Sequence, residues 1–131
     1  MPLYVDQSEL PLLQLKYVGA YTDEELYQFL REVDGVLGHP GKKLGLVDLV
    51  GADPGTARQR RLHAEWISER KGLLARSFAA AAIVTDNALI RGTVTAVFWI
   101  APLPLPTHVA ASVARAQEWL APYMAQLRGT P

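Results

Sequence analysis

Two short apolar runs constrain the fold more than any other feature. The first, LGLVDLV at residues 44–50, is interrupted mainly by Gly45 and Asp48, and the second, FAAAAIV, spans residues 78–84. Strands that are buried on both faces show near-continuous runs of this kind. The small side chains of the second run indicate that helices pack closely above and below it. Both runs therefore predict interior strands of a sheet that is covered on both faces.

An opening hairpin precedes these runs. Residues 12–18, LLQLKYV, alternate between apolar and polar positions after the first pair, which is typical of a strand with one solvated face. Residues 3–5 supply a partner strand, with the turn at residues 8–11. We expect the two to pair as neighbours.

The helices are marked by their caps. Thr22 and Glu25 form a capping box before an apolar series at helical spacing. A second helix is predicted from Pro54 to about residue 75, with Asp53 as its N-cap, because proline suits the first helical position.

Residues 88–101, ALIRGTVTAVFWIA, are ambiguous. Their apolar positions match a helical face, whereas their β-branched residues favour a strand. We favour a helix that begins at Asp86 and Asn87. Residues 103–105 then form a short edge strand, and Thr107 caps the last helix.

The order β-β-α-β-α-β-α-(β)-α predicts an α/β sandwich with a mixed central sheet of about four to five strands. Its middle strands are expected to be parallel and joined by right-handed crossovers. We interpret residues 1–131 as one domain.

Composition excludes several classes of function. There is no cysteine, and 13 Lys and Arg residues balance 13 Asp and Glu residues, so no overall charge attracts nucleic acid. The start shows no secretory leader, and the longest apolar stretch, residues 78–84, is too short for an integral membrane segment. A cytoplasmic location is the default expectation.

Signatures of catalysis are also missing. The sequence has no nucleophile elbow, no phosphate-binding lysine loop and no glycine-rich dinucleotide loop. His39, His63 and His108 lack paired spacing. We therefore predict a non-catalytic protein without a metal or another cofactor.

Three strings resemble the STAS superfamily, the fold of bacterial anti-sigma factor antagonists. They are LGLVDLVGA at 44–52, VTDNALIRGTVTAVFW at 84–99 and ARAQEWL at 114–120. The chain is most similar to small stand-alone bacterial STAS-like proteins of unknown role. The resemblance implies a STAS-like fold and a signalling module that works by binding another regulatory protein.

In regulated members of that family, a strand ending in aspartate leads to a phosphorylatable serine, followed by glycine, at a helix start. Asp48 matches the aspartate and Gly55 matches the glycine. The serine has no counterpart, which makes the phosphorylation loop degenerate and leaves Thr56 as a displaced candidate phosphosite. An ordinary helix-start residue without regulation is the alternative for Thr56.

The predicted partner-binding surface centres on this loop. Asp48 and Asp53 would set its geometry, Gly55 and Thr56 would offer free amides, and the helix would add positive charge from Arg58, Arg60 and Arg61. Acidic residues on the first helix oppose this basic face, and such faces steer partners or are simply solvated.

An apolar pocket is the alternative function. We expect it between the 88–100 segment and the last helix, lined by Phe98, Trp99, Val113 and Leu120, where it would hold a lipid or small molecule. The same side chains could instead fill the core. A homodimer formed through residues 3–18 or the proline-rich segment is a third alternative.

Overall fold

The chain begins with the predicted hairpin and continues as alternating helices and strands. The computed structural model describes residues 2–129, so the ends of the predicted domain at residues 1, 130 and 131 lie outside the described residues. The strands are β1 (Leu3–Glu9), β2 (Leu12–Gly19), β3 (Lys43–Ala52), β4 (Phe78–Val84) and β5 (Thr107–Ala110). The helices are α1 (Asp23–Leu37), α2 (Ala57–Glu69), α3 (Lys71–Ser77), α4 (Ala88–Ile100) and α5 (Val113–Leu127).

The five strands form one mixed sheet in the order β1-β2-β3-β4-β5. Strand β1 pairs antiparallel with β2, and the remaining neighbours are parallel. Because each parallel strand is added on the same side of the previous one, right-handed crossovers place the connecting helices α1 to α4 on one face. Helix α5 follows the last strand and covers the other face.

The face under α5 is a tightly packed core. Leu44 and Leu46 of β3 and the alanines of β4 contact Ala116 and Leu120 of α5. Small side chains on both sides let the helix approach the sheet closely. The close packing predicted from the FAAAAIV run is present here.

The opposite face carries larger side chains. Helix α1 packs Leu26 and Phe29 against β1 and β2, while α4 packs Ile90 against Leu49 and Ile83. Aromatic rings are concentrated on this face, and it contains the candidate site described below.

Two predicted helix starts are confirmed. The Thr22 hydroxyl accepts a hydrogen bond from the Glu25 amide at 3.1 Å, and the Glu25 carboxylate accepts one from the Thr22 amide at 2.9 Å. At the ambiguous segment, Asn87 Oδ1 accepts from the amides of Leu89 and Ile90. Residues 88–100 are therefore helical, because a strong cap outweighs their β propensity.

The second helix differs from its prediction. It begins after Thr56, so Asp53 is not its N-cap, and it ends at Glu69 instead of continuing to residue 75. The Thr56 hydroxyl accepts from the Gln59 backbone amide at 3.0 Å, and this reciprocal box fixes the helix start at Ala57, three residues after Pro54.

Arg70 separates α2 from α3. Its guanidinium forms a bidentate pair with Asp34 of α1, and its Cζ lies 4.8 Å from the centroid of the Trp66 ring. Its backbone angles, φ −118° and ψ 19°, interrupt the helix. The single long helix is replaced by two because a tertiary ion pair fixes the residue between them.

The edge strand was also predicted at the wrong place. It spans Thr107–Ala110 instead of residues 103–105, and Ser112, not Thr107, caps the last helix. Alternating prolines deprive the earlier segment of amide donors. The strand instead starts where Thr107 pairs with Ala81 of β4.

Candidate functional site

A cavity of about 210 Å³, partly open to solvent, lies between the sheet and helices α1, α2 and α4. Its floor includes Leu15, Val47 and Ala81, and its roof includes Trp66 and Phe98. The principal contacts of α2 are with α1, α3 and α4, whereas α5 contacts β3, β4 and β5 directly. Helix α2 is therefore held away from the sheet, and the space beneath it forms the cavity.

One polar pair lies within this apolar lining. The Tyr17 hydroxyl is 2.9 Å from His63 Nε2, and His63 Nδ1 is 2.8 Å from the carbonyl oxygen of Gln59. A carbonyl oxygen can only accept, so Nδ1 carries the proton, and Nε2 of the neutral ring accepts from the Tyr17 hydroxyl. Both protons of the pair are used within the protein.

Burial keeps this pair uncharged. It lowers the pKa of His63, against a smaller opposing effect of the Gln59 carbonyl, and it raises the pKa of Tyr17. The Phe29 ring meets the Tyr17 ring edge-on at a centroid distance of 5.2 Å, which fixes the orientation of the phenol. The pair is a fixed polar feature in an apolar surface.

The loop after β3 borders one end of the cavity. Asp53 Oδ2 accepts from the Gly55 amide at 2.9 Å, and Gly55 has a φ of +74°, which glycine adopts without strain. A Cβ at this position would lie 3.0 Å from Gln59 Oε1 and 3.3 Å from the Tyr21 hydroxyl. The tight approach to both groups requires glycine.

Gln59 joins this loop to the start of α1. Its Oε1 accepts from the Thr56 amide at 3.1 Å, and its Nε2 donates to the Tyr21 carbonyl at 2.8 Å and to Asp23 Oδ1 at 3.1 Å. Only 4% of Gln59 is exposed. The buried amide thus fixes the geometry of the loop from two sides.

Three polar side chains line the end of the cavity that reaches the surface. They are exposed Asp53, half-buried Arg60 and half-buried Tyr21. Arg60 Nη1 donates to the Gly55 carbonyl at 3.0 Å. Burial and then the Asp53 charge raise the pKa of Tyr21 to about 12, although Arg60 acts in the opposite direction. Tyr21 is therefore a neutral donor at physiological pH. We call these three residues the mouth.

The opposed charges of the first two helices are partly paired within the chain. Arg58 Nε lies 3.0 Å from Asp23 Oδ2, and Arg70 pairs with Asp34. Because both acceptors belong to α1 and both donors follow the loop, these contacts fasten α2 to α1. They reduce the charge that is free to steer a partner.

The predicted partner-binding residues do not all lie together. Asp53, Gly55, Thr56 and Arg60 do gather at the loop, with Arg58 on the adjacent helix turn. Arg61 is exposed and forms no hydrogen bond or ion pair within residues 2–129.

The prediction that Asp48 belongs to the partner-binding loop is wrong. It follows Leu44 and Leu46 at a spacing of two residues along β3, so the pleat turns it toward the α5 side of the sheet. There it lines a groove with Val113, and its Oδ1 accepts from the Val50 amide at 3.0 Å. Asp48 sets the local geometry of the strand and does not reach the loop surface.

The predicted apolar pocket is also corrected. Phe98 lines the observed cavity, but Trp99 is 84% exposed on the outside of α4. Val113 and Leu120 pack on the opposite side of the sheet, under α5. The four residues cannot line one pocket, because α4 and α5 cover different faces.

Sequence reasoning missed Tyr17, Tyr21 and His63. Tyr17 shares the inward face of β2 with Leu13 and Leu15, and this alternation was the available signal. His63 lies one helical turn after Gln59. The two meet across 46 residues of sequence, a separation at which local pattern carries no information.

Within residues 2–129, no group of three or more His, Asp or Glu side chains is placed to hold a metal ion. None of the helices in the same range is both long enough and apolar enough to cross a bilayer. The predicted cytoplasmic location stays a prediction.

Comparison with known proteins identifies the fold. No family model matches the chain, and no curated protein matches it either. Among solved structures, it is similar to an uncharacterized protein of the DUF3478 family from Shewanella loihica PV-4, described as having a SpoIIAA-like fold. The match has a TM-score of 0.66 and covers 90% of this chain and 91% of that chain. The chain has a SpoIIAA-like fold.

At 17% sequence identity, this likeness shows the fold alone. The predicted STAS-like α/β fold is confirmed, including its mixed sheet. Binding of another regulatory protein remains a prediction.

Proposed function

We propose that this protein binds a small, mainly apolar molecule in the cavity beneath α2, as a carrier or as a ligand-responsive module. The observation that carries the proposal is the cavity itself, an apolar space of about 210 Å³ with polar groups at its mouth and one polar pair inside. Binding sites for small molecules combine these features.

A ligand in this space would be stabilised mainly by burial of apolar surface. It removes its own apolar surface and that of the cavity lining from water, and by binding the folded chain it stabilises the folded state.

The volume limits the size of the ligand. An apolar cavity of about 150 Å³ accommodates benzene, and pockets for drug-sized molecules begin at about 300 Å³. A space of about 210 Å³ therefore suits a molecule of roughly eight to ten non-hydrogen atoms. Of the two ligand classes predicted from the sequence, the small molecule fits better than a lipid with two acyl chains.

The proposed activity is binding without catalysis. Tyr17 and His63 are held neutral by burial, and the described contacts give His63 a carbonyl partner in place of a carboxylate. An imidazole without a carboxylate lacks the usual group that orients and stabilises it as a base. We assign the pair to shaping the pocket.

Thermal unfolding in the presence of 1-heptanol or toluene tests the proposal. A ligand at 100 times its dissociation constant stabilises the folded state by about 2.7 kcal/mol, which is a measurable rise in Tm. Ala81→Leu places a larger side chain on the cavity floor and should abolish the rise. Ala121→Leu, at an exposed position of α5, is the matched control. A rise that is equal in both variants would contradict cavity binding.

A second candidate is recognition of a regulatory protein through the β3–α2 loop. The SpoIIAA-like fold supports it, as do the exposed N-cap Thr56 and the unpaired Arg61 beside it. Arg61→Glu should release a captured partner that Arg115→Glu, on the other side of the molecule, retains. Arg58→Glu is a poor test, since it would place a second carboxylate beside Asp23.

Phosphorylation of Thr56 would be part of this second candidate function, the recognition of a regulatory protein. Intact mass of protein from its native cell, compared with Thr56→Ala expressed there, would show whether a phosphate is carried at Thr56. An unmodified wild-type mass would remove Thr56 as a phosphosite, while the loop would still be testable through Arg61. A homodimer likewise stays a prediction.

A further inference from the structure

We propose that the ligand of this cavity carries a carboxylate at one end, which Arg60 and Tyr21 bind at the mouth. The inference rests on the proposed function, because it requires that a molecule enters the cavity. It specifies the chemical class: a short monocarboxylate with an apolar body of roughly eight to ten non-hydrogen atoms in total.

Arg60 is the first reason to expect a carboxylate on the ligand. It lines the cavity, is half-buried, and directs Nη1 to the carbonyl oxygens of Gly55 at 3.0 Å and Pro54 at 3.5 Å. Within residues 2–129 it forms no ion pair with any carboxylate, whereas Arg58 and Arg70 both do. A partly desolvated guanidinium favours an anion, and its planar donors match a carboxylate in two places.

Tyr21 is the second reason to expect a carboxylate at the mouth. Its hydroxyl makes no hydrogen bond to any residue in the 2–129 range, although it lies at the mouth beside Gly55. The raised pKa of about 12 keeps this hydroxyl protonated at neutral pH, so it is an unused donor. One donor and one cation thus face the same end of the cavity.

The interior of the cavity determines which end of the ligand points inward. The Tyr17 proton is donated to His63, and the His63 proton is donated to the Gln59 carbonyl, so no spare donor is offered deeper in the cavity by this pair. The surrounding floor and roof are apolar side chains such as Leu15, Val47 and Phe98. An anionic group is therefore solvated only at the mouth, and the apolar body lies inward.

Asp53 opposes an anion at the mouth. Its carboxylate is exposed, so water and salt screen it more than they screen half-buried Arg60. Its Oδ2 is already occupied by the Gly55 amide. Asp53→Asn keeps an oxygen for that hydrogen bond and removes only the charge. Asp53→Asn should therefore tighten binding of a carboxylate, so the proposal can also be tested by an increase in affinity.

The experiment uses three probes with the same chain length: heptanoate, 1-heptanol and heptylamine. Calorimetric titration at pH 7 into the full chain compares wild type with Arg60→Gln, Arg60→Lys, Tyr21→Phe and Asp53→Asn. Arg61→Gln is the matched control, since Arg61 is exposed on the same helix. A charge-assisted hydrogen bond predicts that wild type binds heptanoate at least about tenfold tighter than 1-heptanol.

The variants separate charge recognition from loop damage. Arg60→Gln should remove the preference for heptanoate and leave the affinity for 1-heptanol within about twofold, while Arg60→Lys restores part of the preference. Tyr21→Phe should weaken heptanoate alone, and Asp53→Asn should strengthen it. A parallel loss for both probes in Arg60→Gln would assign Arg60 to loop structure and overturn its role in recognition.

Each remaining outcome is also decisive. Equal affinity of wild type for heptanoate and 1-heptanol would overturn the carboxylate and leave cavity binding standing. Tightest binding of heptylamine would overturn it in favour of Asp53 as the anchor. Failure of all three probes to bind would remove the proposed function together with this inference.

Discussion

The two faces of the sheet are built from alternate residues of the same strands, yet they are packed in opposite ways. Under α5, Ala80 and Ala82 let the helix contact the sheet closely. On the other face, Ala81 lies between them in sequence and forms part of the floor of an open space. One strand therefore contributes to a dense core and to a cavity at once.

The difference lies in what covers each face. Helix α5 contacts three strands, while α2 contacts mainly its neighbouring helices and is fastened to α1 by Arg70 and Asp34. Aromatic side chains such as Trp66 and Phe98 occupy the gap without filling it. The cavity under α2 therefore lies on one side of the sheet, although buried apolar clusters lie on both sides.

The largest expected effect comes from truncating one leucine on each side of β3 and comparing the losses of stability. Leu44 is fully buried under α5, and Leu49 borders the cavity. Leu44→Ala should lower the free energy of unfolding by about 3–5 kcal/mol, near the top of the range for such changes. Leu49→Ala should cost less, about 2–3 kcal/mol, because part of its surface already faces empty space. Urea titration measures both, and equal losses would contradict a loosely packed cavity face.

Enlarging neighbouring alanines of β4 tests the same contrast in the other direction. Ala82→Leu inserts three carbons into the packed face and should destabilise the protein by about 1–3 kcal/mol. Ala81→Leu inserts the same atoms into the cavity and should be close to neutral or stabilising. Thermal and urea unfolding of the two variants provide the measurement. A larger loss for Ala81→Leu than for Ala82→Leu would show that the cavity has no room for those atoms.

Most of the packed face could be predicted from sequence. The apolar runs of β3 and β4 give its strands directly, although the cap of α5 at Ser112 was missed. On the other face, the caps at Thr22 and Asn87 located two helix starts because a cap depends on residues within one turn, whereas the box at Thr56 was missed. The failures have tertiary causes. Strand β5 depends on pairing with Ala81, and the division at Arg70 depends on Asp34. Neither partner is near in sequence.

The cavity face could be predicted only in part. Asp53, Gly55 and Arg60 were predicted as parts of a partner-binding loop and helix start, and not as the border of a cavity. The position of the pocket was wrong because right-handed crossovers fix the face of α4, whereas no following strand fixes the face of α5. The Tyr17 to His63 contact requires the fold, since it joins a strand to a helix.

Acid should weaken the cavity face selectively. Burial lowers the pKa of His63 below its unfolded value of about 6.5, so below that pH the unfolded chain binds a proton that the folded chain resists. The contribution is complete above pH 6.5 and is lost as pH falls through about 6.5 to the folded pKa, with a slope of up to about 1.4 kcal/mol per pH unit.

Two histidine variants check this pH dependence. His63→Gln should show a shallower loss of stability than wild type between pH 7.5 and pH 5. His108→Gln, which alters an exposed ring stacked on Trp119 near α5, should follow wild type. Urea titrations across that range give the slopes. Parallel curves for wild type and His63→Gln would mean that the ring is not held neutral by its burial.

The smallest expected effects compare the helix caps on the two faces. Thr56 caps α2 at the mouth, and Ser112 caps α5 by accepting from the Arg115 amide at 3.2 Å. Thr56→Ala and Ser112→Ala should each cost about 1 kcal/mol of unfolding free energy, because each leaves one helix-end amide without its acceptor.

Binding of heptanoate should distinguish these two variants. Thr56→Ala removes the acceptor of the Gln59 backbone amide, and the Gln59 side chain donates to the Tyr21 carbonyl, so loosening of this helix start should weaken heptanoate binding slightly. Ser112→Ala should leave heptanoate binding unchanged, and equal weakening by both would mean that the packed face also contributes to the mouth.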